Sequence, residues 1–423
     1  MTSGSLPRAP DSRNAIMRRS LRLRAASRYS LRRMRYEYTP EQLAWRDEVR
    51  AFCAAHVTDA LRAELRLAGN EGDGPLAKAF HRTLFEQGWW GVGWPKEFGG
   101  MGKAAVEQYI FIDEMQMAGA PAMNLSITSV APTILREGTD AQKAAWLPQI
   151  LRGDIEFAVA YSEPNAGTDL AALSTRAELV GDEWVINGQK IWNTGAHTAT
   201  HNWVAVRTEP EVRKHQGISM IIVPMNTPGI EVQGIWTMSN IRTNAVFFDD
   251  VRVPRDHLIG ERGMGFYYAM MALDFERIQI GCVGMLARLL EELKDFVRHT
   301  TRDGRVLGAV PWVRRAVADL EMRVEVGRQI GLLNAWLIDQ GVVPTKEGSM
   351  SKVYVSELNA HFASVGLDIL GLAGQLGPND ETAPLHGRLQ WLYTIAPMQR
   401  FGGGTNEIQR IIIAQRGLGL PRK

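Results

Sequence analysis

Residues 183–195 read EWVINGQKIWNTG, and there the chain changes its period. Apolar and polar residues alternate across Asn187-Gly188, the pair that most strongly marks a two-residue hairpin turn. The same alternation continues through NWVAVRT (202–208), GISMIIVP (217–224), IEVQGI (230–235) and AVFFDDVRVP (245–254), with turn residues between them. Residues 158–262 therefore read as a small antiparallel β-domain.

On both sides the period is helical. Thr39-Pro40-Glu41-Gln42 is a capping box with proline at the first helical position. Leu43, Trp45, Val49 and Phe52 then supply one buried face. Thr139 to Gln142 forms a second capping box, so residues 37–157 read as a helical domain. After the strands, residues 263–299 read as one helix, apolar on nearly every side as far as Arg288. Further helices follow over 312–338, 351–372 and 405–418. The whole is an α+β multidomain chain: N-terminal helical domain, middle β-domain, and C-terminal helical region over 263–423.

Composition narrows the function. The chain has 423 residues, 45% hydrophobic and 22% charged, as in ordinary globular proteins, and its length calls for more than one domain. Two cysteines, Cys53 and Cys282, rule out a disulfide framework and fit a reducing compartment, here the cytoplasm. No apolar run is long enough to span a bilayer. Residues 1–33 hold nine arginines and one acid, Asp11; the remainder has 39 basic and 45 acidic residues, a net of about −6. That acidic body argues against a nucleic-acid surface. Residues 1–36 are expected to be a disordered basic arm, with a mitochondrial transit peptide (hence a matrix location) or an anion-binding tail as the alternatives. A nicotinamide fold is set aside, because Gly371, Gly374 and Gly377 have the wrong spacing and no βαβ unit surrounds them. His197 and His201 have the spacing of a metal pair, yet no carboxylate or cysteine is close, so no metal is expected.

Three segments point to a site. AYSEPNAGTDL (160–170) puts hydroxyls and a tight turn on one loop, suited to the polar edge of a ligand. Trp192 and Thr194, two apart on an expected strand, would face one side and could stack on a flat ring and hydrogen-bond it. RFGGGTNEIQR (400–410) places three glycines before a helix capped by Thr405 or Asn406.

These segments, with INGQKIWNTGA (186–196) and VFFDDVRVP (246–254), resemble the acyl-CoA dehydrogenase family over residues 37–421. The resemblance implies a C-terminal four-helix bundle, bound FAD, an acyl-CoA substrate and a dimer or homotetramer, with a heterotetramer also open. It implies Ser162 and Thr168 at the flavin and its ligand, Trp192 and Thr194 flanking the ring, and Thr405 and Glu407 at the adenosine portion. One of Arg298, Arg302 and Arg305, with Asp368 to Leu372, is implied to meet a neighbouring subunit's FAD. The reaction implied is α,β-dehydrogenation to a 2-enoyl-CoA, with electrons passing to an electron-transfer flavoprotein. Many members carry the base where this chain has Gly403. Others, resembling isovaleryl- and long-chain-type enzymes, carry it on a bundle helix, and there this chain has Glu276, followed by Arg277. Glu276 has no basic residue at i±3 or i±4 to neutralise it, whereas Asp274 has Arg277 at i+3. Glu276 is thus the candidate base and Gly403 N–H the candidate oxyanion donor, with Thr168, Asp274, Arg277 and Gly404 as substrate contacts. The alternatives are an oxygen-using flavoprotein of the same fold and a silent subunit of a heterotetramer.

Overall fold

The computed structural model describes residues 37–68, 72, 74–121 and 125–421, the side chains of 273–277 and 280 excepted. The expected basic arm lies outside the described residues. Helix α1 spans Pro40–His56, and both halves of its capping box form: Thr39 Oγ1 accepts from Gln42 N, and Gln42 Oε1 accepts from Thr39 N. Helices α2 (Asp59–Leu67), α3 (Pro75–Glu86), α4 (Ala105–Ala118), α5 (Ala131–Glu137) and α6 (Asp140–Leu151) complete the first helical layer. The second capping box, Thr139 with Gln142, forms as well and starts α6.

Strands β1 (Phe157–Ala160), β2 (Arg176–Val180), β3 (Glu183–Lys190), β4 (His201–Arg207), β5 (Ile218–Pro224), β6 (Ile230–Trp236), β7 (Arg242–Pro254) and β8 (Leu258–Ile259) form one sheet. Its order is β6-β7-β3-β2-β4-β5-β8, with β1 beside β4. Most pairs are antiparallel, but β1 runs parallel to β4, and β2 meets β4 in parallel at a single residue pair. The hairpin reading of Asn187-Gly188 is corrected: β3 runs straight through both residues, and the turn lies at Gly181-Asp182. Asn187 instead exchanges hydrogen bonds with Asp250, and the β3–β7 register slips between Ile186 and Gly188. A Cβ on Gly188 would lie 2.7 Å from Thr175 Cα, so this glycine serves a bulge where two backbones meet closely.

Beyond the sheet lie α7 (Gly265–Ile280), α8 (Gly284–His299), the short hairpin β9 (Thr301–Arg302) and β10 (Arg305–Val306), then α9 (Pro311–Asp339), α10 (Thr345–Leu370), α11 (Arg388–Gln399) and α12 (Asn406–Ile412). The single helix read over 263–299 is therefore two. The chain breaks at Gly281-Cys282-Val283, and α4 crosses there. Asp113 of α4 accepts from Val283 N at 3.0 Å, satisfying one of the amides left over at the start of α8. The opposite carboxylate oxygen lies 3.5 Å from Arg328 Nε on α9. Burial raises the Asp113 carboxyl, while Arg328 and the amides oppose that rise. Leu286, Leu290, Leu293, Leu320, Phe362, Leu389 and Leu392 knit α8–α11 into one core.

Asp113→Ala removes the cap and leaves Arg328 without its buried partner. It is expected to cost about 3 kcal/mol in urea unfolding; a loss under about 1 kcal/mol would show that the break holds by packing alone.

Candidate active site

The loop after β1 is shaped by a residue the sequence reading passed over. Glu163 and Ala166 exchange backbone hydrogen bonds at 3.0 Å, closing the tight turn. The Glu163 side chain, 5% exposed, accepts from Ser174 N, Ser174 Oγ and Thr175 N and from Lys190 Nζ at 2.8 Å. Burial pushes its carboxyl up, but Lys190 and these hydrogen bonds outweigh burial and hold it at about 2. Ser162 is half-buried on this loop, its carbonyl accepting from Ile191 N, and Thr168 is exposed.

Trp192 and Thr194 lie past the end of β3, so their shared direction does not come from strand alternation as read above. Asn193 between them is fully buried. It pairs with Asn202 through both amides, while its backbone N–H donates to Asn244 O and its carbonyl accepts from Asn244 Nδ2. With Asn193 anchored inward, Trp192 adopts φ 61° and presents an indole 59% exposed. A bulky residue in the left-handed region is strained by about 1–3 kcal/mol, a feature that clusters at functional sites. Thr194 Oγ1 lies 3.2 Å from Thr243 Oγ1.

The glycine triplet forms the turn between α11 and α12. Gly403 and Gly404 have φ of 67° and 96°, which glycine adopts without penalty. Thr405 is the N-cap of α12, its hydroxyl accepting from Ile408 N, and Glu407 is exposed in the first turn. Beneath the turn, Lys352 Nζ donates to Arg400 O at 2.9 Å and to Asn406 Oδ1 at 2.7 Å. Asn406 also donates to Ser356 Oγ. Burial lowers the Lys352 ammonium to about 8, against the nearby Glu407 carboxylate. No motif marked Lys352. Its one signal was a lysine in a helix with no acid at i±3 or i±4.

These pieces meet at a cavity of about 1400 Å3. Trp192 and Thr194 line it from the β-domain, Gln279 from α7, and Gly402 and Gly403 from the turn. Ser162, Thr168, Gly404, Thr405 and Glu407 are not on its wall. The side chains of Asp274, Glu276 and Arg277 lie outside the described residues; their backbone belongs to α7, which packs against β4, β5 and α10. Arg302 donates to Leu370 O at 2.7 Å and so joins the segment 368–372 within one chain. An exposed, rigidly mounted indole, a hydroxyl two residues on, and side-chain-free backbone at the turn fit a planar isoalloxazine ring with polar edges.

The acyl-CoA dehydrogenase domain models match in order: N-terminal domain over residues 39–154, middle domain over 158–251, C-terminal domain over 263–418. The chain is 38% identical over 401 residues to acyl-CoA dehydrogenase FadE26 of Mycobacterium tuberculosis, covering 92% of this chain and 99% of that one. Among solved structures, the Tcur3481-Tcur3483 steroid ACAD matches at TM-score 0.86 and 36% identity, over 92% of this chain and 100% of the other. The ChsE4-ChsE5 complex from Mycobacterium tuberculosis matches at TM-score 0.85 and 38% identity, with the same coverage. Among the described residues no helix is long and apolar enough to cross a membrane.

The Glu163–Lys190 pair ties stability to pH. A carboxyl held below its ordinary 4.5 gives stability that is complete above that value and lost as pH falls toward about 2. Glu163→Gln leaves Lys190 buried without its counter-charge and is expected to cost about 3–5 kcal/mol, with much of that recovered in Glu163→Gln/Lys190→Met. Equal losses in the single and double variants, or an acid limb unchanged by Glu163→Gln, would contradict this.

Proposed function

The chain belongs to the acyl-CoA dehydrogenase family, whose members use FAD, and from that premise we propose that it converts an acyl-CoA to the 2-enoyl-CoA with Glu276 as the base. The observation that carries this is the shared cavity wall: Trp192 and Thr194, Gln279 and Gly403 come from three parts of the chain to one space. Position 276 lies one helical turn before Gln279 and so on the same face of α7. The Glu276 carboxylate takes the proton from the α-carbon. Gly403 N–H donates to the thioester oxygen as negative charge develops there, the point at which a fixed donor contributes most. Trp192 and Thr194 hold the ring of the cofactor, and Lys352 holds the turn that bears Gly403. FAD, when bound, supplies the hydride acceptor for the β-hydrogen. Ser162 and Thr168, on the Glu163 loop, reach the cofactor's edge and the ligand; Thr405 and Glu407 reach its adenosine portion; Asp274, Arg277 and Gly404 reach the thioester. One of Arg298, Arg302 and Arg305, together with residues 368–372, serves a neighbouring subunit's FAD.

The substrate is a bulky apolar acyl group of steroid dimensions. In support, the cavity is large and most of its lining is apolar, and one solved neighbour is named a steroid ACAD. Both solved neighbours are named as pairs of chains, which favours a heteromeric assembly over a homotetramer. The electrons pass to an electron-transfer flavoprotein in the cytoplasm.

Glu276→Gln is expected to retain bound FAD and acyl-CoA while anaerobic bleaching of the flavin falls by about 10^3-fold or more, since the amide cannot accept the α-proton. Undiminished bleaching would remove Glu276 from the mechanism.

A further inference from the structure

The cavity does not end at the apolar space the reaction needs. Its lining also takes in Met117, Leu125, Met285, Leu286 and Leu289, with Gln116 among them, and Arg66 of α2, Arg288 of α8, and Arg388 with His386 at the start of α11. From Arg388 to Gln399, beside the glycine turn, α11 rises about 16 Å, so the cationic end stands well apart from the reacting end.

Charge at that end is not balanced. Arg288 and Arg388 share one carboxylate: Arg288 Nε donates to Glu292 Oε1 at 3.0 Å, and Arg388 Nη2 contacts Glu292 Oε2. Arg62 is matched by Asp59 at 2.7 Å. Arg66 has no acidic partner among the described residues, and Nε of both Arg66 and Arg388 is buried without an acceptor. Unpaired guanidinium N–H groups in a buried setting are costly unless a ligand satisfies them. The neighbouring backbone is also strained: Leu385 and His386 hold φ of 51° and 55° in succession, at about 1–3 kcal/mol each. Burial, with Arg66 and Arg388 beside it, lowers the His386 pKa and keeps it from adding a further charge.

We propose that this end is a carboxylate site, and that the acyl group taken by the enzyme carries a carboxylate at its far end, received by Arg66 and Arg388. The proposal rests on the dehydrogenase reading above, since it takes the cavity to hold the acyl group. A carboxylate supplies the missing acceptors and halves the net charge that three guanidiniums leave over the single Glu292 carboxylate. The phosphates of CoA are the competing anion. Free CoA, which carries those phosphates and pantetheine without an acyl group, separates the two anions in the titration below.

The FAD-loaded protein, with whatever partner subunit it purifies, would be titrated with hexadecanedioyl-CoA, hexadecanoyl-CoA and free CoA. Binding is read by calorimetry and reaction by anaerobic flavin bleaching. The dicarboxylic thioester is expected to bind at least about tenfold more tightly than the monocarboxylic one, as buried charged hydrogen bonds do. In Arg66→Gln the preference should fall to about twofold or less, with hexadecanoyl-CoA and free CoA unchanged. Arg388→Gln should act in the same direction, and a circular dichroism melt confirms that each variant is folded. Equal binding of the two thioesters by the native protein would overturn the carboxylate site while leaving the dehydrogenase reading intact. Weakened free CoA in Arg66→Gln would assign the arginines to phosphate and overturn it too. Binding of neither thioester would overturn the carboxylate site, and flavin bleaching by a steroid acyl-CoA in the same protein would show that the dehydrogenase reading stands without it.

Discussion

The Asp113 carboxylate joins three parts of the molecule. From α4 in the first helical layer it meets Val283 N, where α7 gives way to α8, and Arg328 on α9. A continuous helix over 265–299 would fix the direction of both halves at once. The break lets α7 lie against β4, β5 and α10 while α8 packs into the bundle core. The cavity follows that bend, with Gln279 and Val283 at its turning point and Leu289 further along. A buried carboxylate is expensive, and it persists here because an amide and a guanidinium receive it.

On the β-domain side the same physical device recurs. Glu163 and Lys190 are both buried, and each tolerates the interior through the other and through surrounding amides and a carbonyl. They fix the loop before Thr168 and the end of β3, from which Trp192 projects. Lys352 does the equivalent under the glycine turn. Each polar anchor holds backbone, and the backbone presents the groups facing the cavity.

How much of this could be read from residues alone differs by the range of the interaction. The capping boxes at Thr39 and Thr139 were legible because their partners lie three residues away. The strands were legible by alternation. Asn187-Gly188 misled because the pair serves equally at a bulge, and only Thr175 and Asp250 across the sheet decide which. The break at Gly281 was hidden because its cause, Asp113, lies 170 residues earlier. Helix α11 had no reading, since it lacks a cap and is apolar on most sides. Of the site, Trp192, Thr194 and Gly403 were named and do meet at the cavity. Lys352 and the arginines around Glu292 went unnamed, because the partner of each is chosen by tertiary packing.

In the proposed mechanism the glycine turn supplies the donor and α7 supplies the base. A crystal structure of the FAD-bound protein with a non-reactive acyl-CoA analogue tests it most directly. A Glu276 oxygen is expected about 3–3.5 Å from the thioester α-carbon, and Gly403 N within about 3 Å of the thioester oxygen. A different carboxylate at the α-carbon, or Gly403 N turned away from that oxygen, would contradict it.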